Sequence, residues 1–302
     1  MKTVQILVKR NVKLFFKDKG MFFTALVTPA ILLVLYATFL GNVYRDSFLS
    51  ALPEGVTMAE KMIDGFVAGQ LISSILSVSC VSVAFCSNLL MVQDKVTGAI
   101  KDLTISPVSG SYLAISYYLA TLLSTLLICF VATGLCLVYV AFVGWYMSLT
   151  DILLLFLDVF LLSMFGTALS SVICYFLSSQ GQISAISAII SAGYGFICGA
   201  YMPISQFSGG LQRVVSFLPG TYGTSLIRNH SLTGVFDRMK QKNFPSEVVE
   251  SFKDTVDCNL YFFDEKVPVK IMYVILVSAV VALVGLYVLM NILRKIPRCT
   301  NK

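Results

Sequence analysis

Five stretches of this chain carry no charged residue: between Lys19 and Arg45, Asp64 and Asp94, Asp102 and Asp151, Asp158 and Arg213, and Lys270 and Arg294. A helix needs about 20 apolar residues to cross a bilayer core. The two longest stretches therefore have room for more than one crossing; they hold three apolar segments between them, one of which runs across Asp151 and Asp158, which gives six in all. Lipid offers no partner to an open strand edge, so a chain of this kind must be mostly helical. The pattern defines an all-α, polytopic membrane protein.

Composition agrees. The chain is 57% hydrophobic and only 13% charged, against about 25% charged in soluble domains. The net charge of +6 is concentrated at the two ends, where Lys and Arg set membrane orientation. Ten Lys or Arg stand there against one acid, Asp18, so both termini are expected on the cytoplasmic side of the plasma (inner) membrane. The first apolar run starts near Gly20 and is longer than the apolar core of a cleaved signal. Six of the eight cysteines, Cys80, Cys86, Cys129, Cys136, Cys174 and Cys198, lie in apolar segments and read as small hydrophobes. Cys258 falls in a polar loop and Cys299 in the tail. With no CxxC and a single histidine, His230, no metal site is expected.

The whole chain, 1–302, reads as one transmembrane domain. Residues 3 to 17 form an amphipathic helix, with Val4, Leu7, Val8, Val12 and Phe15 on one face and Lys9, Lys13 and Lys17 opposite. Such a helix lies in the membrane interface; a simple extension of the first span is the alternative. Spans 1 to 5 fall in 20–201, at about 21–40, 66–92, 112–143, 149–177 and 183–201. An outer region, 202–269, opens with an apolar stretch, Pro203 to Tyr222, placed to re-enter the membrane. It continues with an amphipathic helix over Ser246 to Leu260. Span 6, about 271–293, and a basic tail complete 270–302. No internal repeat is visible, which argues against an inverted-repeat carrier.

Catalytic motifs are missing. There is no GxxxxGK[ST], HExxH or GxSxG, and one histidine provides poorly for acid–base chemistry. The chain is expected to be no enzyme and to bind no cofactor. The sharpest local signal is the segment Asp94 to Ser109 between spans 2 and 3. It predicts a short helix over Gly98 to Thr104, ended by Pro107, with alternating exposed charge. That is a docking element or a solvated loop.

Asp94, Gly98, Leu103 and Ser106-Pro107-Val108-Ser109 before span 3 resemble the pattern of the membrane subunit (permease) of ABC-2 type exporters. Gly199, Pro203, Leu218-Pro219, Thr221-Tyr222 and Leu226-Ile227-Arg228 after span 5 match in the same order. Asp94 stands where Glu is commoner in that pattern, and the loop Leu232 to Pro268 is longer than in compact members. The resemblance implies a dimer of permeases, homo- or heterodimeric, working with two ATP-binding subunits that hold the ATP and Mg. It places Asp94, Thr97, Gly98, Lys101, Asp102, Leu103 and Pro107 at the contact with the ATP-binding subunit.

Other candidates come from the spans. Ser187, Ser191, Gly195 and Gly199 recur every four residues in span 5, a spacing that lets helices approach closely, within one subunit or between two. Ser73 and Ser77 on the hydroxyl face of span 2 are candidates for the same pathway wall. Asp158 is the one acid well inside an apolar stretch and needs a partner. Arg213 or Arg228 would supply it if the segment around Pro219 re-enters, forming an outer gate. The substrate reading is an amphiphile: a drug, as in multidrug efflux, an antimicrobial peptide or a lipid-like molecule. A polysaccharide or glycolipid within the same family, or an ion-coupled carrier or channel, is the alternative.

Overall fold

The computed structural model describes residues 2–50, 59–105 and 108–293 of the 302. It is almost wholly helical. Helix α1, Lys2–Lys17, stands apart from α2, Lys19–Leu35, because Asp18 breaks the chain and caps α2 by accepting from the Met21 N–H at 3.1 Å. A π-helical stretch, Tyr36–Leu40, carries α2 into α3, Gly41–Ser50. Then follow α4 (Glu60–Val96), α5 (Ala99–Ile105), α6 (Gly110–Val143), α7 (Leu149–Phe176) and α8 (Gln180–Ile197). The remainder is α9 (Gly209–Val215), α10 (Pro219–Gln241), α11 (Ser246–Thr255), a hairpin of β1 (Leu260–Phe262) and β2 (Glu265–Val267), and α12 (Val269–Leu293). The hairpin is the one departure from an all-α reading among the described residues.

Among the described residues, five helical segments are long and apolar enough to cross a membrane: Lys19–Asp46, α4, α6, α7 and α12. The expected fifth span is not among them. Its helix, α8, has 18 residues, about 27 Å at 1.5 Å each, short of a hydrocarbon core of about 30 Å. It opens on polar Gln180 and Gln182, and it stops at Gly199, whose φ of +73° takes the chain out of the helix.

Helix α4 is the axis of the bundle. Almost every residue along it is buried, as expected for a helix with no polar face. It packs against α2, α6, α7, α8 and α10. Inside this dry bundle, Asn88 donates to Ser170 and Ser171 of α7, both at 3.1 Å, and accepts from Thr121 of α6. One buried amide thus joins three helices. On α1 the buried face is Leu7, Asn11 and Phe15 against α6, while Lys9, Lys13 and Lys17 are exposed.

Contacts fix the relative heights of the helices. Tyr273 of α12 meets Asp158 of α7, and Tyr175 of α7 meets the Met290 carbonyl of α12, each across 115 residues. The two helices therefore run parallel in constant register. Helix α10 runs the other way: Gly220 lies against Phe165 and Gly223 against Leu162, while Gly234 lies against the Tyr146 carbonyl. The start of α10 is its deep end, about 10 Å further down α7 than Asp158.

Candidate functional site

Two polar centres stand at the end of the bundle far from α1, and one at the α1 end. The first is built on Arg228, 1% exposed in the middle of α10. Its Nη2 donates to the Gly199 carbonyl at 2.8 Å, and its Nη1 to the Val256 carbonyl at 2.9 Å and to Asp257 at 3.3 Å. Its Nε donates to Ser73 at 3.3 Å. Asp257 in turn accepts from the backbone N–H of Ile204 at 2.5 Å and of Ser205 at 3.1 Å. One guanidinium thereby ties together α4, the end of α8, the 204–205 turn and the end of α11. A planar fork with five donors suits this task, which the point charge of a lysine would not perform. Pro219, expected at the gate, is the first residue of α10, where its missing N–H costs nothing.

The second centre is Asp158, 0% exposed on α7. The expectation of Arg213 or Arg228 as its partner is overturned. His230 meets Asp158 through Nδ1 at 2.5 Å, and the Tyr273 hydroxyl donates to it at 2.5 Å. Arg228 is committed to Asp257, and Arg213 is exposed on α9 with its guanidinium 5.9 Å from the Phe263 ring centre. Sequence reasoning set His230 aside as a lone histidine. The signal that finds it is its place in the apolar first two thirds of α10, where Arg228 is the other group able to carry charge.

The pathway candidates fare differently. Ser73 and Ser77 are fully buried inside the subunit rather than lining a wall: Ser77 donates to the Ser73 carbonyl and Ser73 to the Gln70 carbonyl. Their role is close packing around α4. Gly195 is covered by the Tyr201 ring, and Gly199 makes the turn after α8 and presents its carbonyl to Arg228. The upper half of the small-residue stripe is thus spent within the chain. Ser187 is half-buried; the side chain of Ser191 lies outside the described residues. Near these helices an apolar cavity of about 310 Å³ opens between α3, α4, the end of α8 and α11. Tyr44, Phe48, Phe66, Phe196, Tyr201 and Phe252 contribute its rings.

At the α1 end the chain turns sharply after α4. Thr97 caps α4 through its hydroxyl to the Gln93 carbonyl at 2.9 Å, and Gly98 takes the turn at φ +82°. Helix α5 follows, within a residue of the predicted bounds. Lys101, Asp102 and Ile105 are exposed, whereas Ile100 and Leu103 pack onto the core. Leu103 is therefore an anchor of α5 rather than part of its open face. Pro107 lies outside the described residues. Asp94, which the resemblance puts at the contact with the ATP-binding subunit, is buried, bonded to Arg10 of α1 at 2.7 Å and to the Tyr117 hydroxyl of α6 at 2.5 Å. That hydrogen bond raises the Arg10 pKa further above its ordinary value. Beside it, Lys95 donates to the carbonyls of Cys174, Tyr175 and Leu177 at 2.7 to 3.1 Å, completing the C-terminus of α7 with a cation.

The long apolar helices place the chain among multi-pass membrane proteins. The model of the ABC-2 type transporter family matches residues 2–230, and the chain belongs to that family. Members of this family generally work with an ATP-binding subunit. The match takes in the α1–α5 end and both far-end centres up to His230; α11, the hairpin and α12 follow it. No curated protein matches the chain.

Proposed function

We propose that the chain is the permease of an ATP-driven exporter, paired with a second permease and driven by a separate ATP-binding subunit. The observation that carries this reading is the two-faced α5. Ile100 and Leu103 anchor it to the bundle, while Lys101, Asp102 and Ile105, the last 84% exposed, face outward at the α1 end. A short helix held on one side and open on the other transmits a push into α4 and, through Arg10 and Asp94, into α1. ATP and Mg are handled by the partner, and this chain catalyses nothing. Both termini are cytoplasmic, in the plasma membrane. α8 with the turn after it serves as a shortened sixth membrane helix, and the start of α10 is re-entrant. The aromatic cavity between α3 and α11 supports an amphiphilic substrate, as in drug or lipid-like efflux.

The test is co-purification with a candidate ATP-binding subunit. Asp102→Lys with Ile105→Asp changes the open face of α5 and leaves its anchors in place. Association and ATPase activity in the wild type, both lost in a variant that keeps its melting temperature, support the coupling role. A variant that still binds and stimulates the ATPase removes it. The buried Asp158–His230 pair favours one other reading, an ion-coupled carrier. Transport that persists unchanged in Asp158→Asn would discard that alternative.

A further inference from the structure

We propose that the β1–β2 turn and the elbow between α9 and α10 form one aromatic foot that sits in the lipid bilayer, at the boundary between headgroups and acyl chains. Phe217 at the elbow and Phe262 and Phe263 at the turn contact one another edge to face, with ring centres 4.9 to 5.9 Å apart. The cluster is not buried: Phe217 is 61% and Phe263 is 53% exposed. Leu211 and Val214 of α9 extend the same exposed apolar surface. In water such a surface is a liability, and it marks a contact site.

Three observations make lipid the occupant. The register of α10 on α7 puts the elbow deep, because Pro219 and Gly220 follow it directly and Gly220 lies beside Phe165. Next, the cluster is continuous with the membrane face of α12: a groove of about 320 Å³ joins Phe217 and Phe262 to Ile271 and Ile275, in the first two turns of that span. Finally, charge stands where phosphates would be. The Arg213 guanidinium lies over Phe263, and Lys270 is exposed at the head of α12. Asp264 and Glu265 follow Phe263 directly, which keeps the tip at the polar boundary rather than in hydrocarbon.

The turn is also built for display. Phe263 and Asp264 have φ of +47° and +69°, the pair of left-handed residues of a tight hairpin turn. Asn-Gly adopts it readily, whereas an aromatic residue there is a genuine outlier. The inference rests on the re-entrant start of α10 proposed above and is independent of the coupling role and the substrate.

Trp145 is the only tryptophan and lies at the same end of the bundle, so the native chain supplies a depth reference. In a Trp145→Phe background, Phe263→Trp and, separately, Phe217→Trp are reconstituted into phosphatidylcholine–phosphatidylglycerol vesicles. Quenchers are iodide in water and phospholipids brominated near the glycerol or near the chain end. We expect quenching several-fold stronger from glycerol-proximal bromine than from chain-end bromine, with iodide weak. Strong iodide quenching with none from lipid would overturn the proposal and leave the surface in water. Shielding from both quenchers would also overturn it, because a protein surface, a second copy included, would then cover the foot. Either variant alone suffices if the other does not fold.

Discussion

Each end of the bundle pairs an arginine with an aspartate, and the two pairs are built for opposite purposes. At the far end, Arg228 and Asp257 have side chains only 1% and 4% exposed, and every nitrogen of the guanidinium is engaged. At the α1 end, Arg10 is 32% exposed and holds one carboxylate and its neighbour Asn11. The buried pair knots four segments that are distant in sequence and gives them a single arrangement. The more open pair connects only α1 to α4 and α6; Arg10 reaches the surface while Asp94 is buried and keeps the Tyr117 hydroxyl, so it parts at lower cost than the far-end pair. Under the proposed function, the first kind would serve as a closure that holds its shape and the second as part of a coupling end that moves.

The comparison breaks most readily at Arg228. Arg228→Ala leaves Asp257 buried without its cation, together with two unpaired carbonyls. Removing one partner of a buried pair costs about 3–5 kcal/mol. We expect loss of a folded, monodisperse protein in detergent, or a fall of many degrees in melting temperature. Arg228→Lys should recover little, since a single ammonium cannot reach Gly199, Val256 and Ser73 together. A stable Arg228→Ala chain would mean that the knot is not what holds the far end.

Asp158 comes next. Tyr273→Phe removes one hydrogen bond from a carboxylate that keeps His230, so a loss of about 1–3 kcal/mol is expected. His230→Phe should cost more than Tyr273→Phe, because it removes the imidazole that meets the buried carboxylate directly and puts an apolar ring against it. Equal losses in thermal unfolding would show that the histidine acts only as a neutral donor.

Much of this was legible in the sequence, and the failures have physical causes. Charge-free length placed α2, α4, α6, α7 and α12 within a few residues, because a bilayer demands that length. The same reasoning overran on α8, where Gly199 ends the helix through backbone conformation, which hydropathy does not register. The turn at Gly98 and the helix after it were readable from glycine and alternating charge. Partner choice was not. Asp158 was paired on paper with the nearest available arginines, yet the register of α10 turns His230 to it and Arg228 toward Asp257. The burial of Asp94 was likewise not readable, because it is decided by Arg10 of α1 and by Tyr117, which are far off in sequence. The serines of α4 looked like a pathway wall because small hydroxyl residues serve packing and lining alike.

Arg10 tests the open pair. Arg10→Ala should cost less stability than Arg228→Ala, because Arg10 is 32% exposed and the buried Asp94 keeps the Tyr117 hydroxyl as a donor. Its effect should fall instead on coupling, since α1 is then tied to α4 only through packing. We expect the variant to bind its ATP-binding subunit but to show lowered substrate-stimulated ATPase activity. A melting temperature that falls as far as in Arg228→Ala would abolish the distinction between the two ends.

The smallest effect separates a third kind of pair, one fully at the surface. Glu250 on α11 accepts from Lys266 at 2.9 Å, from Asn259 at 3.0 Å and from Lys253 at 3.2 Å. The Lys266 hydrogen bond is the main cause that lowers its pKa from 4.5 to about 2. A carboxylate lowered in the folded state stabilises the fold above its unfolded value, and that contribution fades as pH falls from 4.5 through about 2. Glu250 is 46% exposed, so solvent screening limits the gain to a few tenths of a kcal/mol, far below what the shift alone implies. Glu250→Gln should therefore lower the melting temperature slightly at neutral pH, and the gap to wild type should close as the solution is acidified through that window. A gap that stays constant with pH would assign the effect to packing of α11 on the hairpin rather than to charge.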